Sequence, residues 1–116
     1  SFISILKILP AVASLYSKIE GIVLLKPQFE AESSQQKKGV VKSAENHTEI
    51  VTRVISGIAE TGFTPCGITF SPIKGPAGNI EFLVYLKRGY EVDLTVRKID
   101  ETDIHEAVKS AHNELD

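Results

Sequence analysis

Three stretches of this chain carry side chains suited to chemistry. The first is Leu25-Lys26-Pro27-Gln28-Phe29-Glu30, where a lysine follows the apolar run Ile22-Val23-Leu24-Leu25. The run is short and branched, which reads as a strand buried on both faces. In open α/β sheets, ligands sit beyond the carboxyl ends of the strands, so Lys26 is placed to meet a substrate oxygen. The same lysine also fits a strand end whose ammonium reaches water along its own stem. The second stretch is Lys37-Lys38-Gly39-Val40-Val41-Lys42, followed by His47. Basic residues beside a glycine can hold phosphates, and they equally suit a solvated loop. His47 falls in the first turn of a helix, a position that reads as structural. The third runs from Ser71 to Leu83 through Ile73-Lys74-Gly75-Pro76 and Asn79-Ile80-Glu81. Glu81 opens an apolar strand, and a carboxylate against a buried face needs a partner. Lys26 supplies the opposite charge if the two strands are neighbours. Otherwise Glu81 is an exposed strand-start residue.

The elements that must position these groups alternate. Apolar spacing predicts a helix over 5–19, with Pro10 in its first turn and a start near Leu9, ended by Glu20-Gly21. A strand over 22–25 follows, then a long polar loop over 27–45. Asn46 and Glu49 have capping-box spacing for a helix whose stripe is Ile50, Val51, Val54, Ile55, Ile58 and Ala59, stopped by Gly62. Strands are predicted over 66–70 and 80–86, with a turn-rich loop at 71–79 that allows an antiparallel pair. Val92, Leu94 and Val96 alternate with polar residues as an edge strand would. A helix over 102–115 places Ile104, Val108, Ala111 and Leu115 on one face, which suits packing on the same domain or, as the alternative, self-association. This order implies an α/β sheet covered by helices.

Composition sets outer bounds. The chain has 116 residues, 42% of them hydrophobic and 24% charged, which suits one globular domain. No apolar run reaches a spanning length, and residues 1–20 lack the plan of a signal peptide. Cys66 is the single cysteine, in keeping with a reducing cytoplasm. With no methionine and an abrupt opening at Ser1-Phe2-Ile3-Ser4-Ile5, the sequence reads as a piece of something longer. Residues 1–90 carry ten basic and seven acidic side chains, net +3, and residues 91–116 carry three and eight, net −5. A mildly basic body with an acidic tail is compatible with RNA contact by the body, and with ordinary solvated faces. Dinucleotide, Walker, zinc-protease and serine-hydrolase motifs are absent from the sequence.

Taken in order and spacing, SFISILKILP, IVLLKPQFEAE, KKGVV, His47, TGF and GITFSPIKGPAGNIEFLVYL resemble the TlyA/hemolysin A family of FtsJ-like RNA methyltransferases. The resemblance covers about residues 1–87, leaving 88–116 as an appended acidic strand and helix. Lys38 stands where the family pattern has a glycine. The resemblance implies a partial Rossmann-like class I methyltransferase fold, the C-terminal half of its sheet. It implies S-adenosylmethionine as cofactor, bound by a glycine-rich loop upstream, with no cofactor-binding residue and no metal site in this stretch. It also implies a Lys-Asp-Lys-Glu set in which Lys26 matches the second lysine and Glu81 the glutamate, the other two lying upstream.

The chemistry so implied is ribose 2′-O-methylation of RNA, ribosomal RNA first among the candidates, in the cytoplasm. Lys26 would stabilise the developing alkoxide or take its proton, and Glu81 would orient it. Lys37, Lys38, Lys42 and Lys74 are candidate contacts for RNA phosphates. Two other readings stand beside this one. One is a membrane-active hemolysin, disfavoured because the polar helix faces are not lysine-rich. The other is a non-catalytic RNA-binding protein of the same fold.

Overall fold

The computed structural model of the protein describes residues 3–90 and 97–116. In chain order it has α1 (Ile5–Leu15), β1 (Ile19–Leu25), α2 (Pro27–Glu30), α3 (Ala44–Glu60), β2 (Thr64–Phe70), β3 (Phe82–Arg88) and α4 (Glu101–Leu115). Single 3-10 turns lie at Ser33–Gln35 and Pro76–Gly78. The strand alternation expected at 92–96 lies outside the described residues.

The three strands form one antiparallel sheet in the order β1-β3-β2. Leu25 pairs with Phe82 at one end of the β1–β3 ladder, and Ile19 with Arg88 at the other. The alternate residues Phe82, Val84 and Leu86 of β3 enter one core with the α3 stripe of Ile50, Val51, Val54, Ile55 and Ile58. Ile104, Ala107, Val108 and Ala111 of α4 join the same core, so the C-terminal helix packs on this domain. The sheet and its helices make an α/β fold, as the alternation of elements predicts.

Several expected boundaries move, each for a local reason. α1 begins at Ile5, and Pro10 lies inside it rather than in its first turn. The start is set by Ser4, whose hydroxyl accepts from Leu6 N at 3.1 Å and donates to Glu30 Oε2 at 2.6 Å. Glu30 Oε1 also accepts the Ile5 amide at 2.9 Å, placing a carboxylate at a helix N-terminus. Glu20 and Gly21 do not end a helix; they lie in β1 opposite Lys87 and Leu86. β1 is not buried on both faces. Leu25 is inaccessible, but Ile22 is 67% and Leu24 39% exposed, because no described layer covers that face.

The stretch 27–45 is not one loop. Pro27 starts α2, Glu32 and Gln35 form a reciprocal cap, and Arg53 Nη2 donates to Glu30 O at 2.5 Å. α3 is capped by Ser43, whose hydroxyl accepts from Asn46 N at 3.0 Å. Asn46 and Glu49 instead bind the turn before the helix: Asn46 Nδ2 donates to Gln35 O, and Glu49 Oε2 accepts from Gln35 Nε2.

Candidate active site

β1 and β3 end side by side, which brings Lys26 and Glu81 to the same edge of the sheet, each next to the Leu25–Phe82 pair. Glu81 is buried, at 5% exposure. Its carboxylate is wedged against backbone: a Cβ at Gly75 would stand 2.1 Å from Glu81 Oε2. The direct Lys26–Glu81 ion pair that neighbouring strands would allow is not what forms. Gln28 Nε2 donates to Glu81 Oε2 at 2.8 Å. The Lys26 ammonium lies over the Phe29 ring, 5.2 Å from its centroid. The turn into α2 at Pro27 carries Gln28 back over the strand ends, so the amide reaches the carboxylate first.

A cleft of about 590 Å³ opens beside this edge, lined by Gln28, Phe29, Gln36, Lys38, Gly39 and the turn through Pro76, Ala77 and Asn79. Its two outer walls are alike. In each, two consecutive residues adopt left-handed backbone: Lys38 at φ 53° with Gly39 at 78°, and Ala77 at 57° with Gly78 at 82°. Lys37 and Val40 exchange both backbone bonds across the first turn, at 2.9 and 3.1 Å. Such turns favour glycine at both central positions, so Lys38 and Ala77 are held at a cost.

Asn79 joins the walls. It is 1% exposed, and its Oδ1 accepts from Val41 N at 3.0 Å. Its Nδ2 donates to Gly39 O and to Pro76 O, both at 2.9 Å. Sequence reasoning passed over Gln28, Gly75 and Asn79. The signal for Asn79 was its place after a Pro-Ala-Gly turn, where an amide often ties loop backbone.

The four candidate phosphate ligands do not form one cluster. All are exposed. Lys38 faces the cleft, whereas Lys37 and Lys42 line a shallow depression with Ser34, Gln36 and Asn46. Lys74 Nζ stands 3.9 Å from Oδ1 of Asp116, the residue that follows α4. His47 belongs to the same clasp. It is fully buried, its Nδ1 lies 2.7 Å from His112 Nε2, and His112 Nδ1 meets Asp116. Burial first, and the facing His112 second, push the His47 pKa down to about 4.

The sequence profile of FtsJ-like methyltransferases matches residues 1–88. The chain belongs to the FtsJ-like methyltransferase family. Within that family it is 39% identical over 120 residues to YqxC of Bacillus subtilis, named as an rRNA methyltransferase, a match covering 99% of this chain and 41% of that protein. It is 33% identical over 110 residues to the 16S/23S rRNA (cytidine-2′-O)-methyltransferase TlyA of Mycobacterium tuberculosis, covering 93% of this chain and 41% of TlyA. A solved structure from Streptococcus thermophilus, described as a hemolysin, superposes with a TM-score of 0.87 at 38% identity, over 98% of this chain and 40% of that one. This FtsJ-like chain therefore spans about 41% of the length of the curated relatives it matches. Among the described residues, no helix is long and apolar enough to cross a membrane.

Proposed function

We propose that the protein, in its full-length form, is an S-adenosylmethionine-dependent methyltransferase acting on a ribose 2′-hydroxyl of ribosomal RNA in the cytoplasm. The observation that carries this reading is the placing of Lys26 and buried Glu81 at adjoining strand ends, where Gln28 and Phe29 line the open cleft and Lys26 lines a smaller depression with Phe29 and Glu30. The name of the TlyA relative supports the ribose position and the ribosomal substrate.

A ribose hydroxyl is a poor nucleophile until its proton is lost or shared. Lys26 supplies a cation to the oxygen as negative charge develops, and Glu81 orients that end of the site. S-adenosylmethionine supplies a methyl group already activated by its sulfonium. In this reading Lys26 and Glu81 act on the acceptor side. Lys38 would meet RNA phosphate at the cleft, with Lys37, Lys42 and Lys74 as contacts elsewhere on the surface.

The test is transfer of labelled methyl groups from S-adenosylmethionine to ribosomal RNA by the full-length protein and its Lys26→Ala variant. Label that appears on RNA and falls by about 100-fold or more in the variant supports the reading, since a positioned proton-transfer group contributes on that scale. A folded, cofactor-binding protein that labels neither ribosomal subunit nor naked RNA sinks it.

A further inference from the structure

We propose that Gln28 is a positioning residue that joins Lys26 to Glu81 through the two ends of one amide. The inference rests on the methyl-transfer reading above and names how the two charged groups act as a unit.

The Gln28 Nε2 donates to Glu81 Oε2 at 2.8 Å. Turning the amide over would set its carbonyl against an ionised carboxylate, two acceptors with no proton between them, so one orientation pairs and the other repels. The orientation that pairs leaves Gln28 Oε1 buried without a hydrogen-bond partner. A buried amide oxygen left unpaired is costly, and folds keep such groups where they have a use. Only a donor can relieve it.

Lys26 lies two residues earlier at the same strand end, with three donors and no acceptor of its own. Its ammonium rests over Phe29 at 5.2 Å, a contact weak enough to exchange for a carbonyl oxygen as the flexible stem turns. Glu81 is held by the Gly75 backbone close against Oε2, the same oxygen that Gln28 meets. The amide is therefore the movable link and the carboxylate the anchor. A lysine held by one amide oxygen keeps two N–H donors for a ribose oxygen.

The experiment uses the full-length protein with labelled S-adenosylmethionine and ribosomal RNA, and reads kcat and KM separately. Gln28→Leu is expected to lower kcat about 10- to 100-fold with KM for RNA nearly unchanged, the pattern of a lost transition-state interaction. In a Glu81→Gln background the same change should add less than about twofold, because residues acting through one another are non-additive. Gln28→Glu keeps the shape but faces a carboxylate with a carboxylate. Combining it with Glu81→Gln restores one amide–carboxylate pair and should recover at least about fivefold of the loss.

Gln28→Leu retaining kcat within about twofold, or costing as much with Glu81→Gln as without it, overturns the inference and leaves the methyl-transfer reading standing. If Gln28→Leu does not fold, a Gln28→Glu deficit that Glu81→Gln does not relieve overturns it instead. Wild-type protein that transfers no methyl group removes both.

Discussion

The Asn79 side chain accepts the backbone amide of Val41 at 3.0 Å, from a residue 38 positions away in the chain. With its two donated bonds, to Gly39 and Pro76, it holds the two turned walls of the cleft at a set distance.

Asn79→Ala leaves the buried Val41 N–H without an acceptor and frees two carbonyls. A loss of about 2–3 kcal/mol in folding stability is expected, at the upper end for one unsatisfied buried donor. Urea unfolding of the full-length protein at neutral pH measures it, and a loss below about 0.5 kcal/mol would contradict the clamp.

Gly75→Ala introduces a methyl group 2.1 Å from the Glu81 carboxylate. The side chain must shift, since backbone lies on the other side of the contact. Methyl transfer should fall at least about tenfold through misplacement alone, while S-adenosylmethionine affinity, read by calorimetry, stays within twofold. Equal losses in both would point to general unfolding.

Lys38→Gly relieves a left-handed lysine at φ 53°. The relief, about 1–2 kcal/mol, outweighs the extra freedom of glycine in the unfolded chain, about 0.5–1 kcal/mol. A net gain of about 0.5–1 kcal/mol is expected in the urea midpoint, together with weaker RNA binding if Lys38 meets a phosphate.

The His47 clasp makes stability depend on pH. Its folded pKa, about 4, lies below the usual histidine value of 6.5, so between those limits the unfolded chain binds the extra proton. Stability is complete above pH 6.5 and falls as pH drops toward 4, by roughly 2 kcal/mol. His112, Asp116 and Lys74 share the contact and modulate the slope. Unfolding curves from pH 7.5 to 4 should show the decline, and His47→Phe should flatten it.

Much of the frame was legible because it rests on local periodicity. The α3 stripe from Ile50 to Ile58 and the β3 run of Phe82, Val84 and Leu86 announce themselves by spacing of four and of two. The misplaced boundaries share another origin. Glu30 caps a helix that begins 25 residues before it, which overrides Pro10 as a start signal. Arg53 and Gln35 order a stretch whose composition reads as loop. At the site, the family resemblance singled out Lys26 and Glu81. Gln28, Gly75 and Asn79 matter through contacts spanning tens of residues, which no spacing rule encodes.

The strand order carries a consequence for synthesis. β3 is the middle strand of the sheet and the last of the three to be made, and β1 shares no ladder with β2. Among these three strands, neither ladder can therefore be completed until residue 88 has cleared the ribosome. At about 5–20 residues per second, the 63 residues between Leu25 and Arg88 keep β1 waiting for several seconds. During that interval Ile22-Val23-Leu24-Leu25 lacks its β3 partner. Holding it apart from other nascent chains is a task for a chaperone or for neighbouring parts of the polypeptide, and slowing translation across 64–88 should raise the insoluble fraction.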